Sequence, residues 1–216
     1  MTITIREPGS AITHFIAMMM ALFATAPLLI KAALASGPAC FFAMAVFMCS
    51  MILLYGASAT YHSVNVSGRI LKVFRKIDHM MISVLIAGTY TPVCLITLKG
   101  RQGYLLLTAV WAIALAGIFI KAFWITCPKW FSSILYIAMG WACISVIGQL
   151  WILLSRAAFF WLLAGGIFYT VGGVIYALKL PIFNSKHKYF GSHEIFHLFV
   201  MAGSICHFIF MFGYVA

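Results

Sequence analysis

The hydrophobic positions of this chain fall into seven long runs, separated by short polar or turn-forming segments. A membrane-spanning helix needs about 20 mostly apolar residues, and every run reaches that length. The pattern therefore predicts an all-α integral membrane protein, a seven-transmembrane helix bundle. The predicted spans are Ala11–Leu34, Pro38–His62, Ile77–Leu98, Gly103–Trp124, Trp130–Leu154, Ala157–Leu180 and His193–Val215.

The segments between the runs are too short for a separate soluble domain, so residues 1–216 are predicted to form a single membrane domain. A membrane β-barrel would instead alternate apolar and polar residues in segments of about ten, and the chain lacks that pattern. The first run, Ala11–Leu34, is longer than the apolar core of a signal peptide. We expect it to be a retained span.

Composition supports a lipid environment. The chain is 65% hydrophobic and 8% charged, with a mean hydropathy of +1.10, which leaves too few polar side chains to cover a water-facing surface. The net charge of +11 comes from Lys and Arg near the span ends, where they suit anionic lipid headgroups. Membrane lipids are the expected partners, and nucleic-acid binding is not expected. The six cysteines show no CxxC spacing and predict no disulfide framework.

Orientation follows from the positive-inside rule. Of the 14 Lys and Arg, the side that carries the N-terminus holds Arg6, Arg69, Lys72, Arg75, Lys76, Lys121, Lys129, Lys179, Lys186 and Lys188. The opposite side holds Lys31, Lys99, Arg101 and Arg156. The N-terminus is therefore predicted to be cytoplasmic and the C-terminus to lie outside.

Four polar residues at span ends are predicted to meet at the cytoplasmic face. His62 closes the second span, Asp78 opens the third, and His193 and His197 open the seventh. Ionisable residues in a membrane usually face the bundle interior and mark function. His193 and His197 are four residues apart, so they share one helical face. The alternative is that these are interfacial histidines in contact with headgroups.

Three histidines with one open position match a catalytic zinc site, so His62, His193 and His197 are the predicted metal ligands. Zinc and other imidazole-binding metals are both compatible with this set. Asp78 would offset the charge of the ion and hold a water without being a ligand. Ser58 lies one turn before His62 on the same face, where it could bond a substrate oxygen or its own backbone.

The segment HEIFH at 193–197 also matches the H-E-x-x-H pattern of metalloproteases, in which the Glu is the general base. No acidic residue follows His197 to act as the distant ligand that this interpretation needs. His207 is predicted to lie about 15 Å deeper in the membrane than His197, where it would pack against neighbouring helices or support the site indirectly. His79 is expected to be structural, and His14 and Glu7 face the same side without a spacing that assigns them a role.

Several motifs together resemble the hemolysin III family, bacterial relatives of the progestin and adipoQ receptors, which include the adiponectin receptors. They are SATYH at 58–62, DH at 78–79, AGTYTP at 87–92, YIAMGW at 136–141, HEIFH at 193–197 and GSICHF at 203–208. The resemblance covers nearly the whole chain. It implies seven helices with the N-terminus inside, zinc on His62, His193 and His197, and Asp78 near a water on the metal. Adiponectin receptors carry Gln at the position of Glu194, which argues against Glu194 as an essential base.

The expected function is a zinc-dependent hydrolase at the cytoplasmic leaflet, with Asp78 as general base and Ser58 binding the carbonyl oxygen. The resemblance extends to alkaline ceramidases, which implies lipid amide or ester bonds as substrates and a role in membrane homeostasis. One alternative is a non-enzymatic, receptor-like or homeostasis protein with structural zinc. A cytolytic pore former and an intramembrane metalloprotease are further alternatives. A bacterial inner-membrane location is expected from the resemblance.

Overall fold

The structure is a computed structural model that describes residues 5–178 and 190–216, without the side chains of 35 and 36. The described residues form seven helices long and apolar enough to cross a membrane. We number them α1 to α7: Pro8–Leu34, Gly37–Ser63, Gly68–Leu98, Gly100–Phe123, Lys129–Leu153, Arg156–Leu178 and Ser192–Val215. The predicted seven-span, all-α architecture is confirmed.

Large apolar side chains cover the outside of the bundle. Leu34, Phe123 and Ile152 are each more than 80% exposed, as expected for groups whose solvent is lipid. The inner helices are α2, α3 and α7, in which 50%, 56% and 44% of the most apolar window is buried, against 17–28% in the other four. The polar residues of the predicted site are carried by these three inner helices.

Glycine ends the first helix. Gly37 has φ 76° and ψ −172°, a conformation that L side chains rarely adopt, and it separates α1 from α2 within one otherwise continuous helical run. At the other end of this hairpin, the backbone N–H of Glu7 donates to the carbonyl of His62 at 3.0 Å. The start of α1 therefore lies at the same face of the bundle as the end of α2.

Three spans contain irregular segments that hydropathy did not predict. α3 ends in a π-helical stretch at Val93–Leu98, α7 in another at Met211–Val215, and α5 is interrupted by a 3-10 segment at Trp141–Val146. In α5 the Tyr90 hydroxyl donates to the Gly140 carbonyl at 2.6 Å and accepts from the Cys143 N–H at 2.9 Å. A neighbouring side chain thus satisfies the backbone groups near the interruption, as helices in lipid require.

The predicted and observed bounds of the spans differ most in α3. This helix begins at Gly68, whereas the apolar run begins at Ile77. The additional turns carry Arg69, Lys72, Arg75 and Lys76, which lower the hydropathy without breaking the helix because no proline lies between Gly68 and Pro92. Residues 179 and 180 of the predicted sixth span, and Lys179, Lys186 and Lys188 of the charge count, lie outside the described residues.

Replacing Gly103 by alanine is expected to destabilise the bundle. A Cβ at this position of α4 would lie 2.2 Å from the backbone oxygen of Cys94 in α3. That oxygen is held in place because it accepts a hydrogen bond from the Lys99 N–H at 3.1 Å. Overpacking of this kind costs about 1–3 kcal/mol, so the thermal unfolding midpoint in detergent should fall by several degrees.

Gly148→Ala is the matched control for Gly103→Ala. A Cβ at Gly148, inside α5, meets nothing within 4 Å. Alanine is also the better helix former by roughly 1 kcal/mol, so the midpoint should stay level or rise. Equal midpoints for the two variants would contradict the close approach of α3 and α4 at Gly103.

Candidate metal centre

The structure brings three predicted histidines together, although they are far apart in sequence. His62 is the penultimate residue of α2, and His193 and His197 lie in the first two turns of α7. Their ring centroids are 5.1 Å apart for His62 and His193, 5.2 Å for His62 and His197, and 4.5 Å for His193 and His197. Each ring offers one nitrogen to a group whose members all lie within 4.8 Å of one another.

The arrangement of these nitrogens fits a metal ion. Nε2 of His62 and Nε2 of His193 are 3.3 Å apart, and His62 and His197 are each only 2% exposed. Two imidazole nitrogens this close repel each other as two lone pairs or as two N–H groups. A shared proton or a shared cation removes that repulsion. Three neutral imidazoles with room for a fourth ligand are the donor set of catalytic zinc sites.

The outer nitrogens of two of these rings have partners on α1. Nδ1 of His62 is hydrogen-bonded to Oε2 of Glu7, the residue just before α1. Nδ1 of His197 is 3.3 Å from Oγ1 of Thr13. Nδ1 of His193 is buried and has no hydrogen-bond partner among the described residues.

Glu7 adds a negative charge beside the histidines. Its hydrogen bond to His62, helped by Arg6 at 3.1 Å, lowers the pKa of Glu7 from 4.5 to about 2, although partial burial acts in the opposite direction. Glu7 is therefore ionised at every physiological pH. An ionised carboxylate here offsets part of the charge that a divalent cation would bring to the cluster.

His14 also lies at the cluster, on the second turn of α1. Its ring is stacked on that of His197, with centroids 3.5 Å apart and an angle of 14° between the planes. It also meets Tyr55 edge-on at 5.1 Å. His14 is 3% exposed, and both of its ring nitrogens lack a hydrogen-bond partner among the described residues.

Asp78 and Ser58 lie beside the three histidines without joining the ligand group. Both are buried and line the same cavity as His193 and His197, and their side chains interact with each other. Nδ1 of His79 lies 3.6 Å from Oδ2 of Asp78, although its hydrogen bond goes to the Arg75 carbonyl at 2.8 Å. His79 was expected to be structural, and the structure places it against the carboxylate that we predict to be functional.

A mostly apolar cavity opens beside the cluster. Its volume is about 1170 Å³, which includes its open side, and it is lined by α3, α5, α6 and α7 with contributions from α1 and α2. It extends along α7 from His193 to His207, roughly 20 Å at the rise of an α-helix. A smaller cavity of about 590 Å³ shares His207, Tyr90 and Trp141 with it. His207, predicted to pack or support, lies against Gly165, and its Nε2 is 3.2 Å from the Leu162 carbonyl.

Glu194 points away from this chemistry. One carboxylate oxygen accepts the N–H of Gly191 at 2.8 Å, and the other accepts the Ser10 hydroxyl at 2.5 Å. These contacts cap the first turn of α7 and join it to α1. A general base needs a free oxygen directed at the substrate, so the geometry disfavours the metalloprotease interpretation of HEIFH.

The contribution of α1 to the cluster was missed at the level of sequence. Ser10 and Thr13 carry no recognisable pattern, and His14 and Glu7 had no spacing to connect them with α7. One available signal was rarity, because Glu7 is one of only 3 acidic residues in the chain and lies on the same predicted face as His62. The other was topology, since α1 begins where α2 ends.

The fold and the cluster together define a class of protein. It is a seven-helix membrane bundle with a three-histidine candidate metal centre at one end of an apolar cavity. The family model described as "Haemolysin-III related" matches residues 3–208, so the chain belongs to the haemolysin III family. It is an integral, multi-pass membrane protein.

Two bacterial relatives match over nearly their full length. Hemolysin-3 of Bacillus cereus is 38% identical over 209 residues, covering 97% of this chain and 91% of the relative. The Hemolysin-3 homolog of Bacillus subtilis is 39% identical over 202 residues, covering 93% and 91%. A progestin and adipoQ receptor-like protein of Caenorhabditis elegans is 26% identical over 185 residues, covering 75% of this chain and 41% of the relative. No solved structure matches the chain significantly.

Proposed function

We propose that this protein is a zinc-dependent hydrolase that cleaves an amide or ester bond of a membrane lipid. The observation that carries the proposal is the position of the three-histidine group, which lies at one end of the apolar cavity with a buried carboxylate beside it. Bound zinc would supply a water with a pKa of about 7 and would polarise a carbonyl. The other steps belong to side chains of this chain.

Asp78 has the position of a general base. It is 8% exposed and faces the cavity, so it can accept a proton from a water held at the histidines. Ser58, in the preceding helix, can donate a hydrogen bond from its hydroxyl to the carbonyl oxygen of the substrate. A donor placed at the oxygen where charge develops contributes strongly to catalysis.

The cavity suits the apolar part of a lipid. Its walls include Ile82, Ile86, Ile137, Phe196 and Val200, and its length allows an extended hydrocarbon chain to lie along α7. Pockets that are mostly apolar with a few converging polar groups are typical of small-molecule sites. The scissile bond would then lie at the polar end. Under the orientation that we propose from the charge count, that end faces the cytoplasmic leaflet.

The direct test is lipid turnover by purified protein in nanodiscs. Ceramides, acylglycerols and phospholipids would be offered separately, and released fatty acid would be measured by mass spectrometry. We expect release from at least one class, its loss after treatment with a chelator, and its recovery on adding zinc. A metal-loaded wild-type protein that releases no fatty acid from any class would refute the hydrolase, as would release that the chelator leaves unchanged.

A second candidate is a receptor-like or membrane-homeostasis protein with structural metal. One observation favours it: the three histidines come from two helices, α2 and α7, so an ion there would tie these helices together. Removal of the metal would then lower the thermal unfolding midpoint and the biological activity together. Asp78→Asn would leave both unchanged, which separates this candidate from the hydrolase.

A further inference from the structure

The first two turns of α1 and the residue before them contact two of the three predicted ligands, His62 and His197, and also Glu194. Glu7 is hydrogen-bonded to His62, Thr13 to His197, and Ser10 to Glu194, while the ring of His14 lies flat on His197. These contacts join residues up to 184 positions apart in sequence. None of these four residues belongs to the group of predicted ligands.

The contact with Glu7 determines which nitrogen of His62 is free. A carboxylate oxygen in contact with a ring nitrogen acts as the hydrogen-bond acceptor, so the hydrogen of this contact lies on Nδ1 of His62. In a neutral imidazole the other nitrogen, Nε2, then holds the lone pair. Nε2 of His62 is the atom that lies 3.3 Å from Nε2 of His193, inside the cluster.

The contact with Thr13 has the same consequence for His197. The Thr13 hydroxyl lies 3.0 Å from the Gly9 carbonyl and 3.0 Å from the Ser10 carbonyl, and these oxygens only accept. Its one hydrogen is therefore used within α1, and its oxygen is left to accept from Nδ1 of His197 at 3.3 Å. Nε2 of His197 then carries a lone pair.

We propose that Glu7 and Thr13 are positioning residues that hold His62 and His197 in the Nδ1–H tautomer, so that Nε2 of both rings is presented to one metal ion. This role rests on the proposed metal centre and makes α1 a part of it. A carboxylate on the far nitrogen of a ligating histidine also raises the basicity of the ligand. Glu7 therefore contributes more than Thr13, whose hydroxyl carries no charge.

Metal affinity of the purified full-length protein tests this role. It would be measured for zinc and cobalt by competition with a chromophoric chelator, and the visible absorption of bound Co²⁺ would report the geometry of the ligands. Loss of an outer partner of a ligating histidine lowers metal affinity by about 10–100-fold. We expect Glu7→Ala and Thr13→Ala to fall in this range. Glu7→Gln should lose less than Glu7→Ala, because the amide oxygen still accepts from Nδ1. The Co²⁺ absorption should shift in both alanine variants.

Thr25→Ala is the matched control for Thr13→Ala. Thr25 lies on the same helix and donates to its own backbone at Ala21, 2.7 Å away. Arg6→Gln is the control for the Glu7 variants. It removes the positive charge next to Glu7 and leaves the contact between Glu7 and His62 in place. Both controls should bind metal within about threefold of wild type, well inside the 10–100-fold loss expected for an outer partner.

The positioning role is overturned if Glu7→Ala and Thr13→Ala bind zinc as tightly as wild type with an unchanged Co²⁺ spectrum. It is also overturned if Thr25→Ala loses as much affinity as Thr13→Ala, or if the wild-type protein binds neither metal. The affinity measurement needs no turnover. A protein that shows the expected order of affinities and cleaves no lipid would refute the hydrolase and leave the positioning role intact.

Discussion

Replacing His197 by alanine is expected to leave the purified protein with less than about a tenth of the metal that the wild type retains. A three-histidine site keeps only two protein ligands after this change, and the loss of a direct ligand should exceed the 10–100-fold effect of losing an outer partner. His197 is 2% exposed and covered by His14, so bulk water has little access to take its place. Elemental analysis of the purified variant and wild type measures the difference.

The same loss is expected for His62→Ala and His193→Ala, and the matched control is His79→Ala. His79 is a largely buried histidine on α3 that lies next to Asp78, and its Nδ1 bonds to the Arg75 carbonyl. It is outside the group of three, so its removal should leave the metal content unchanged. Full metal content in all three ligand variants would show that the metal ion is bound at another place in the protein.

The sequence predicted the fold and the three histidines because both depend on simple regularities. Seven apolar runs give seven helices, and alternation of direction places the end of α2 and the start of α7 at one face. A spacing of four residues then sets His193 and His197 on one side of a helix. The rings of these histidines and His62 lie within 5.2 Å of one another by centroid, as that reasoning predicts. That these histidines bind a metal, and that the metal is zinc, stays a prediction.

The contacts that α1 makes with the histidines were not predicted, because their detail depends on how the helices pack. Glu7 precedes the first helical turn, and its approach to His62 follows from the hairpin at Gly37 and from the backbone bond between the two residues. The stacking of His14 on His197 depends on the distance between α1 and α7, which no local pattern encodes. The interruption of α5 likewise involves Tyr90 of another helix, whose hydroxyl donates to the Gly140 carbonyl and accepts from the Cys143 N–H.

Orientation and lipid contacts depend on the membrane, which the helix bundle alone does not define. The excess of Lys and Arg on the N-terminal side still predicts a cytoplasmic N-terminus. A cysteine-accessibility experiment on the 155–156 turn would test it. Labelling of Ser155→Cys from outside the cell is expected, and labelling only after lysis would reverse the predicted orientation and place the metal centre at the outer leaflet.

Asp78→Asn is expected to lower lipid turnover by about 10²–10⁴-fold while the metal content stays within twofold of wild type. General-base catalysis contributes about this much, and an amide does not accept the proton that a carboxylate accepts. The change keeps the shape of the side chain and an oxygen that can interact with Ser58. Since Asp78 lies outside the group of three histidines, the ligand set should remain complete.

Two further variants, Ser58→Ala and Glu194→Gln, are needed to interpret the result of Asp78→Asn. Ser58→Ala removes one donor to the carbonyl oxygen and should cost about 10²–10³-fold in turnover, again with metal retained. Glu194→Gln should leave lipid turnover nearly unchanged, because both carboxylate oxygens of Glu194 already accept hydrogen bonds from Gly191 and Ser10. If Glu194→Gln abolished turnover and Asp78→Asn preserved it, the base would be Glu194 and the chemistry that of a metalloprotease. If both variants kept wild-type turnover, neither Asp78 nor Glu194 would be the base.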